Sequence, residues 1–126
     1  MAAKGETNFR KRVRRDLKLL EPKIHFFPIQ QVAIGGTPDF LISAGGIFVA
    51  LELKDEDGAT SKLQDYELTR VGESGGYSFV ARPSDWDSLY LIIQGIAIAN
   101  YRGRWVYAPE DGKPTPKNNS RRNKND

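Results

Sequence analysis

The stretch from Asp39 to Lys54, DFLISAGGIFVALELK, decides how this chain folds. Two apolar runs flank Gly45-Gly46, the pattern of two strands joined by a tight antiparallel hairpin. Side chains alternate between faces along a strand. Val49, Leu51 and Leu53 therefore share the face that enters a core, while Ala50, Glu52 and Lys54 share the other. Asp39 lies six residues before Gly45, and Glu52 lies six after Gly46. In a two-residue hairpin those positions face each other, with Cβ atoms about 4.5–5.5 Å apart.

Working outward, residues 6 to 20 carry Phe9, Val13, Leu17 and Leu20 on one helical stripe, with basic residues around the rest of the circumference. Glu21-Pro22 stops that helix. Ile24 to Val32 reads as a strand interrupted at Pro28, and Gly35-Gly36 with Pro38 as a bend before Asp39. On the other side, Asp55 to Thr60 is a loop. Ser61 opens a helix to about Gly72, with Ser61 and Gln64 placed as a capping box. Tyr77 to Ala81 is a short strand. Ser84 and Asp87 are spaced as a second capping box heading a helix that runs to about Ala99. Arg102 to Ala108 reads as an edge strand or packed loop.

The strands before and after the Ser61 helix form a crossover unit and are expected to be parallel. The fold class is α/β: a mixed central β-sheet flanked by helices. The chain has 126 residues, enough for one core. Residues 1–109 are read as a single domain. No large apolar residue occurs from Glu110 onward, so 110–126 are read as a disordered basic tail.

Composition narrows the chemistry. With no cysteine, thiolate metal sites, disulfides and a cysteine nucleophile are excluded. The longest apolar run, Leu89 to Ala99, is broken by Gln94-Gly95 and is too short to span a bilayer. No apolar stretch follows the basic N-terminus, so no signal peptide is expected, and the expectation is a cytoplasmic protein. The net charge is only +3, but seven of the 19 Lys and Arg residues precede position 19 and five fall in the last 14 residues. Basic ends around a near-neutral middle fit a phosphate backbone, or serve solubility or targeting.

Two facing acids destabilise a sheet unless something positive sits between them. A hard divalent cation is the natural candidate, since Mg²⁺ commonly takes one or two carboxylates plus substrate phosphate. Lys54 lies within reach of the same point, where it could orient or deprotonate a water or neutralise developing charge. Alone, Glu-x-Lys on a strand is an ordinary solvated pair; the facing Asp39 gives it weight. Glu6 falls on the apolar stripe of the first helix, a costly position for an unpaired charge, although an acid there also suits a helix N-terminus. Gln64 is explained as a cap and could also face the Lys54 end of the strand. His25, the single histidine, reads as structural, with no nucleophilic arrangement around it. Trp86, Trp105 and Tyr107 read as core or interface, and the surface aromatics of a single-strand binder are not apparent.

The ordered set Gly36-Thr37-Pro38-Asp39, Glu52-Leu53-Lys54 and Ser61-Lys62-Leu63-Gln64 resembles the PD-(D/E)XK nuclease superfamily. Within it the set is most similar to the VRR-NUC type and to small phage-encoded nucleases related to Holliday junction resolvases. The resemblance runs from about Glu6 to Pro83. It implies a restriction-endonuclease-like core with Asp39 and Glu52 as metal ligands and Lys54 as the catalytic lysine. It further implies Glu6 as the first-helix acid at the metal and Gln64 as the glutamine after the core motif. The activity implied is a Mg²⁺-dependent endodeoxyribonuclease, with Mn²⁺ as a substitute, hydrolysing phosphodiester bonds in branched or structured DNA. Arg10, Lys11, Arg14 and Lys62 are the candidate DNA contacts. A homodimer through the apolar third helix (Leu89, Ile92, Ile93, Ile96) would supply two sites. The alternatives are a catalytically silent DNA-binding protein on the same fold and an interaction protein assembled through that helix.

Overall fold

The hairpin at Gly45-Gly46 forms in the expected register. A computed structural model of the chain describes residues 7–30, 35–103, 106–108 and 113–115. Strand β2 (Phe40–Ala44) runs antiparallel to β3 (Ile47–Leu53), pairing Ala44 with Ile47 and Phe40 with Leu51. Gly45 has φ 62°, and a Cβ there would come within 2.4 Å of the Ala97 carbonyl oxygen. A side chain at this position would meet both backbone strain and a helix backbone, so glycine is required twice over.

Strand β1 (Ile24–Pro28) pairs antiparallel with β2, and β4 (Tyr77–Ala81) lies parallel to β3. The four form one mixed sheet in the order β1-β2-β3-β4. The strand read over Ile24 to Val32 with an interruption at Pro28 ends as a regular strand at Pro28, with one further backbone bond from the Ile29 N–H to the Asp39 carbonyl. Residues 31–34 lie outside the described residues.

Helix α1 (Asn8–Lys18) begins where Thr7 Oγ1 accepts the Arg10 N–H at 3.1 Å, a conventional N-cap. Its Val13 and Leu17 are fully buried, with Phe9 and Leu20 packed at the margin. Helix α3 (Trp86–Asn100) lies on the same side and contributes Trp86, Ile93 and Ala97. Together they cover the sheet face that carries Ile24, Phe26, Phe40, Ile42, Val49, Leu51 and Ala81. The buried Trp86 donates its indole N–H to Asp16 Oδ2 at 2.9 Å, tying α3 to α1. Helix α2 (Lys62–Glu73) packs against β3 and β4 from the opposite side through Leu68, and Ser78 Oγ donates to the Leu68 carbonyl at 2.8 Å. The fold is thus α/β, a four-stranded mixed sheet flanked by helices.

The start of α3 differs from expectation. Pro83–Asp85 forms a 3-10 turn and the helix proper begins at Trp86. The expected Ser84–Asp87 capping box does not form. Ser84 Oγ donates to Glu56 Oε1 at 2.8 Å, and Asp85 Oδ1 instead accepts the Arg82 N–H at 2.8 Å. An outside partner for the serine hydroxyl displaced the local cap.

A separate two-stranded ribbon pairs β5 (Val106–Ala108) with β6 (Lys113–Thr115). β6 falls inside the stretch expected to be a disordered tail, so regular structure extends past position 109; residues 116–126 lie outside the described residues. Among the described residues no helix is long and apolar enough to cross a membrane.

Candidate active site

Extending the β2–β3 register by one residue sets Asp39 against Glu52. The Asp39 N–H donates to the Leu51 carbonyl at 3.0 Å, and the Asp39 carbonyl accepts from Ile29 at 2.8 Å. The backbone of Asp39 is therefore held on both sides. Its side chain is held as well: Oδ2 accepts the Leu53 N–H at 2.7 Å. The bend before it seats Gly36 against Leu63 of α2, where an added Cβ would come within 2.7 Å of the Leu63 Cγ. Thus the turn, the hairpin and α2 jointly fix where this carboxylate sits.

Glu52 is the only buried charged residue among those described, at 5% exposure. The alternation of β3 sends it to the α2 side of the sheet, beneath the head of that helix. Gln64 Nε2 donates to Glu52 Oε2 at 2.8 Å, and Lys54 Nζ lies 3.7 Å from the same oxygen. Burial first, and then the charge of Asp39, raise the Glu52 pKa from 4.5 to about 7 against the opposing pull of Lys54. The electrostatic interaction with Asp39 places the two carboxylates within influence of each other, as the hairpin arithmetic requires.

Gln64 fulfils both of its readings. Its Oε1 accepts the Ser61 N–H at 2.9 Å, and Ser61 Oγ accepts the Gln64 N–H at 3.1 Å, which completes the capping box. With its oxygen committed to the cap, the amide must present its NH₂ to Glu52.

Arg10, a candidate DNA contact, lies at the site: Nη1 is 2.8 Å from Asp39 Oδ1, and Nη2 donates to the carbonyls of Ile29 at 3.2 Å and Asp39 at 3.3 Å. Its guanidinium also stacks 4.7 Å above the Phe40 ring. The sequence pattern offered a signal for this role, since Arg10 lies one residue beyond the apolar Phe9 at the head of α1. Lys11, Arg14 and Lys62 are exposed, the first two on α1 and the third at the first position of α2. Glu6 lies outside the described residues.

Asp39, Arg10, Lys54 and Asp55 line a cleft of about 390 Å³ that also takes in Thr7, Phe9, Leu53 and the loop at Gly58-Ala59. The donor set fits a hard divalent cation: the carboxylates of Asp39 and Glu52 come from facing positions of neighbouring strands and offer hard oxygen ligands. No group of three His, Cys, Asp or Glu side chains forms a cation site among the described residues, so the remaining ligands would be water, backbone carbonyls and substrate oxygens. No family model, curated protein or solved structure matches this chain.

Proposed function

We propose that the chain is a metal-dependent DNA endonuclease on a restriction-endonuclease-like core, hydrolysing phosphodiester bonds at the Asp39–Glu52–Lys54 centre. The observation that carries this reading is the convergence of Asp39, Glu52, Lys54 and Gln64 at one end of the sheet beside an open cleft. A purely structural sheet gains nothing from burying a glutamate next to a second acid.

Mg²⁺, or Mn²⁺ in its place, held by Asp39 and Glu52, would supply Lewis-acid polarisation of the scissile phosphate and a lowered pKa for a bound water. Gln64 fixes the rotamer of Glu52, and the Leu53 N–H fixes that of Asp39, so the acids are aligned before substrate arrives. Lys54 stands beside Glu52 Oε2, where its ammonium positions the attacking water and balances charge on the phosphorane-like transition state. As the water oxygen bonds to phosphorus the P–O bond to the leaving strand breaks; the attacking water gives up a proton to solvent, and the leaving oxygen takes one up to depart as a hydroxyl. Arg10 holds Asp39 in the absence of substrate and is placed to turn toward a phosphate entering the cleft. Lys11, Arg14 and Lys62 extend positive charge outward from the centre.

The second reading is a catalytically silent DNA-binding protein on the same fold, favoured by the Arg10–Asp39 ion pair, which already neutralises one of the two acids. A panel of linear, nicked, flapped and four-way DNA incubated with Mg²⁺ or Mn²⁺ separates the two. The nuclease reading expects cation-dependent cleavage of at least one member. DNA binding with no cleavage under either cation supports the silent binder.

A further inference from the structure

Among the described residues, helices cover one face of the sheet fully and the other in part. Helices α1 and α3 close the face that bears Phe26 and Ile42. On the opposite face α2 packs mainly against β4 and β3. The part of that face formed by β1, β2 and the near end of β3 carries His25, Phe27, Leu41, Ser43 and Phe48. His25, Ser43 and Phe48 lie in one cross-strand row, and Phe27, Leu41 and Ala50 in the next. Phe27 is 57% exposed and Phe48 is 46% exposed. His25 is exposed too, with its ring edge-on to Phe27 at 4.9 Å between centroids. By strand parity, Asp39 and Glu52 belong to the next row of this same face.

The rim of the platform is cationic. A groove of about 530 Å³ between α1 and β1 is lined by Lys11, Arg14, Arg15, Lys18 and Glu21, and it reaches His25, Phe26 and Pro28 on β1. Arg10, Arg14 and Lys18 recur at four-residue spacing, as do Lys11 and Arg15, so positive charge rises one helical turn at a time away from the Arg10–Asp39 pair. Glu21 tempers the groove from within and Asp16 from beside it. Glu21 lies 3.9 Å from Lys18 Nζ and 3.8 Å from His25 Nδ1, and Asp16 lies 3.4 Å from Arg15 Nε. Lys11 has no ion-pair partner among the described residues.

Exposed aromatic rings on a sheet, bordered by a basic groove and continuous with a phosphate-cleaving centre, match the chemistry of an unpaired strand: bases stack on rings and phosphates follow cations. A duplex keeps its bases stacked on each other and has no use for Phe27 and Phe48. We propose that the open face of β1–β3 binds single-stranded DNA, with bases on Phe27 and Phe48 and the backbone along Lys11, Arg14, Arg15 and Lys18. The substrate cut at Asp39 and Glu52 is then one with an unpaired segment beside the scissile bond. This placement rests on the nuclease reading, whereas the strand-binding face does not.

The test is fluorescence anisotropy of labelled dT12, rU12 and a 12-base-pair duplex in EDTA, with the full chain carrying Lys54→Ala so that cutting plays no part. The expected result is tighter binding of dT12 than of duplex or rU12. Phe27→Ala and Phe48→Ala should each weaken dT12 binding by roughly ten-fold or more, and Phe27→Trp should retain it. Lys11→Glu with Lys18→Glu should weaken dT12 and flatten the dependence on salt. Both aromatic sites are exposed, and circular dichroism checks that each variant folds. The proposal is overturned if dT12 binds no better than duplex, if rU12 is preferred, or if the Phe variants bind dT12 unchanged. It is also overturned if Phe27→Ala instead converts a dimer to a monomer in sedimentation, because the face would then be a self-interface. Strand binding in a chain that never cleaves DNA leaves this face standing and removes the nuclease; cleavage with no strand binding does the reverse.

Discussion

Gln64 Nε2 stands 2.8 Å from Glu52 Oε2 while the same amide's oxygen closes the capping box of α2. One side chain thereby connects the start of a helix to the buried acid of the centre. Gln64→Ala should lower stability by about 1 kcal/mol through loss of the cap and lower cleavage by roughly 10- to 100-fold through a loosened Glu52. Ser61→Ala removes part of the cap but not the contact to Glu52. It should match the stability loss in thermal melts while cleaving within a few-fold of the parent. Equal losses of activity in both variants would contradict a positioning role for Gln64.

Glu52 makes stability depend on pH. Its folded pKa, about 7, exceeds the ordinary 4.5, because burial and Asp39 penalise the charged form. The folded chain therefore binds more protons than the unfolded one between those values. The stability from neutral Glu52 is complete below pH 4.5 and is lost as pH rises through about 7. The loss amounts to at most ~3 kcal/mol. Glu52→Gln should flatten this segment of the melting curve in EDTA and raise the melting temperature at pH 8, with no cleavage. An unchanged slope in Glu52→Gln would assign the pH dependence elsewhere.

Mg²⁺ should act in the opposite sense. A cation between the acids favours ionised Glu52, so added Mg²⁺ should raise the melting temperature more at pH 8 than at pH 5.5. Asp39→Asn should abolish the increment at both. An increment of the same size in Asp39→Asn would place the cation away from this centre.

Arg10 competes for Asp39. Its ion pair and its stacking on Phe40 are partly buried, so Arg10→Ala should destabilise by about 1 kcal/mol. With the competing cation gone, Mg²⁺ titrated calorimetrically without DNA should bind more tightly to Arg10→Ala, while DNA affinity falls. Weaker Mg²⁺ binding would mean that Arg10 orients Asp39 for the metal and does not compete with it.

Much of this architecture was legible in the strand period. Alternation from Val49 to Leu53 and the Gly45-Gly46 pair set the register, and the register set Asp39 against Glu52. Gln64 was legible as a cap because Ser61 lies three residues before it. What the sequence hid depends on long-range partners. Glu56 captures Ser84 and cancels a local cap, and Asp39 captures Arg10, which otherwise resembles its basic neighbours on α1. The apolar neighbours of His25 suggest a structural residue, whereas its exposure follows from the placement of α2 over β3 and β4, which no local pattern encodes. The exposure of Phe27 and Phe48 depends on the same long-range placement.

Chelator-sensitive cleavage of DNA by the full chain, compared with Asp39→Ala and Lys54→Ala purified alongside and matched by circular dichroism, tests the central claim most directly. The account predicts cleavage by the parent with Mg²⁺, none with EDTA, and a fall of at least roughly a thousand-fold in either folded variant, about 4 kcal/mol of transition-state stabilisation. Full activity in either variant, or cleavage that ignores EDTA, would contradict it.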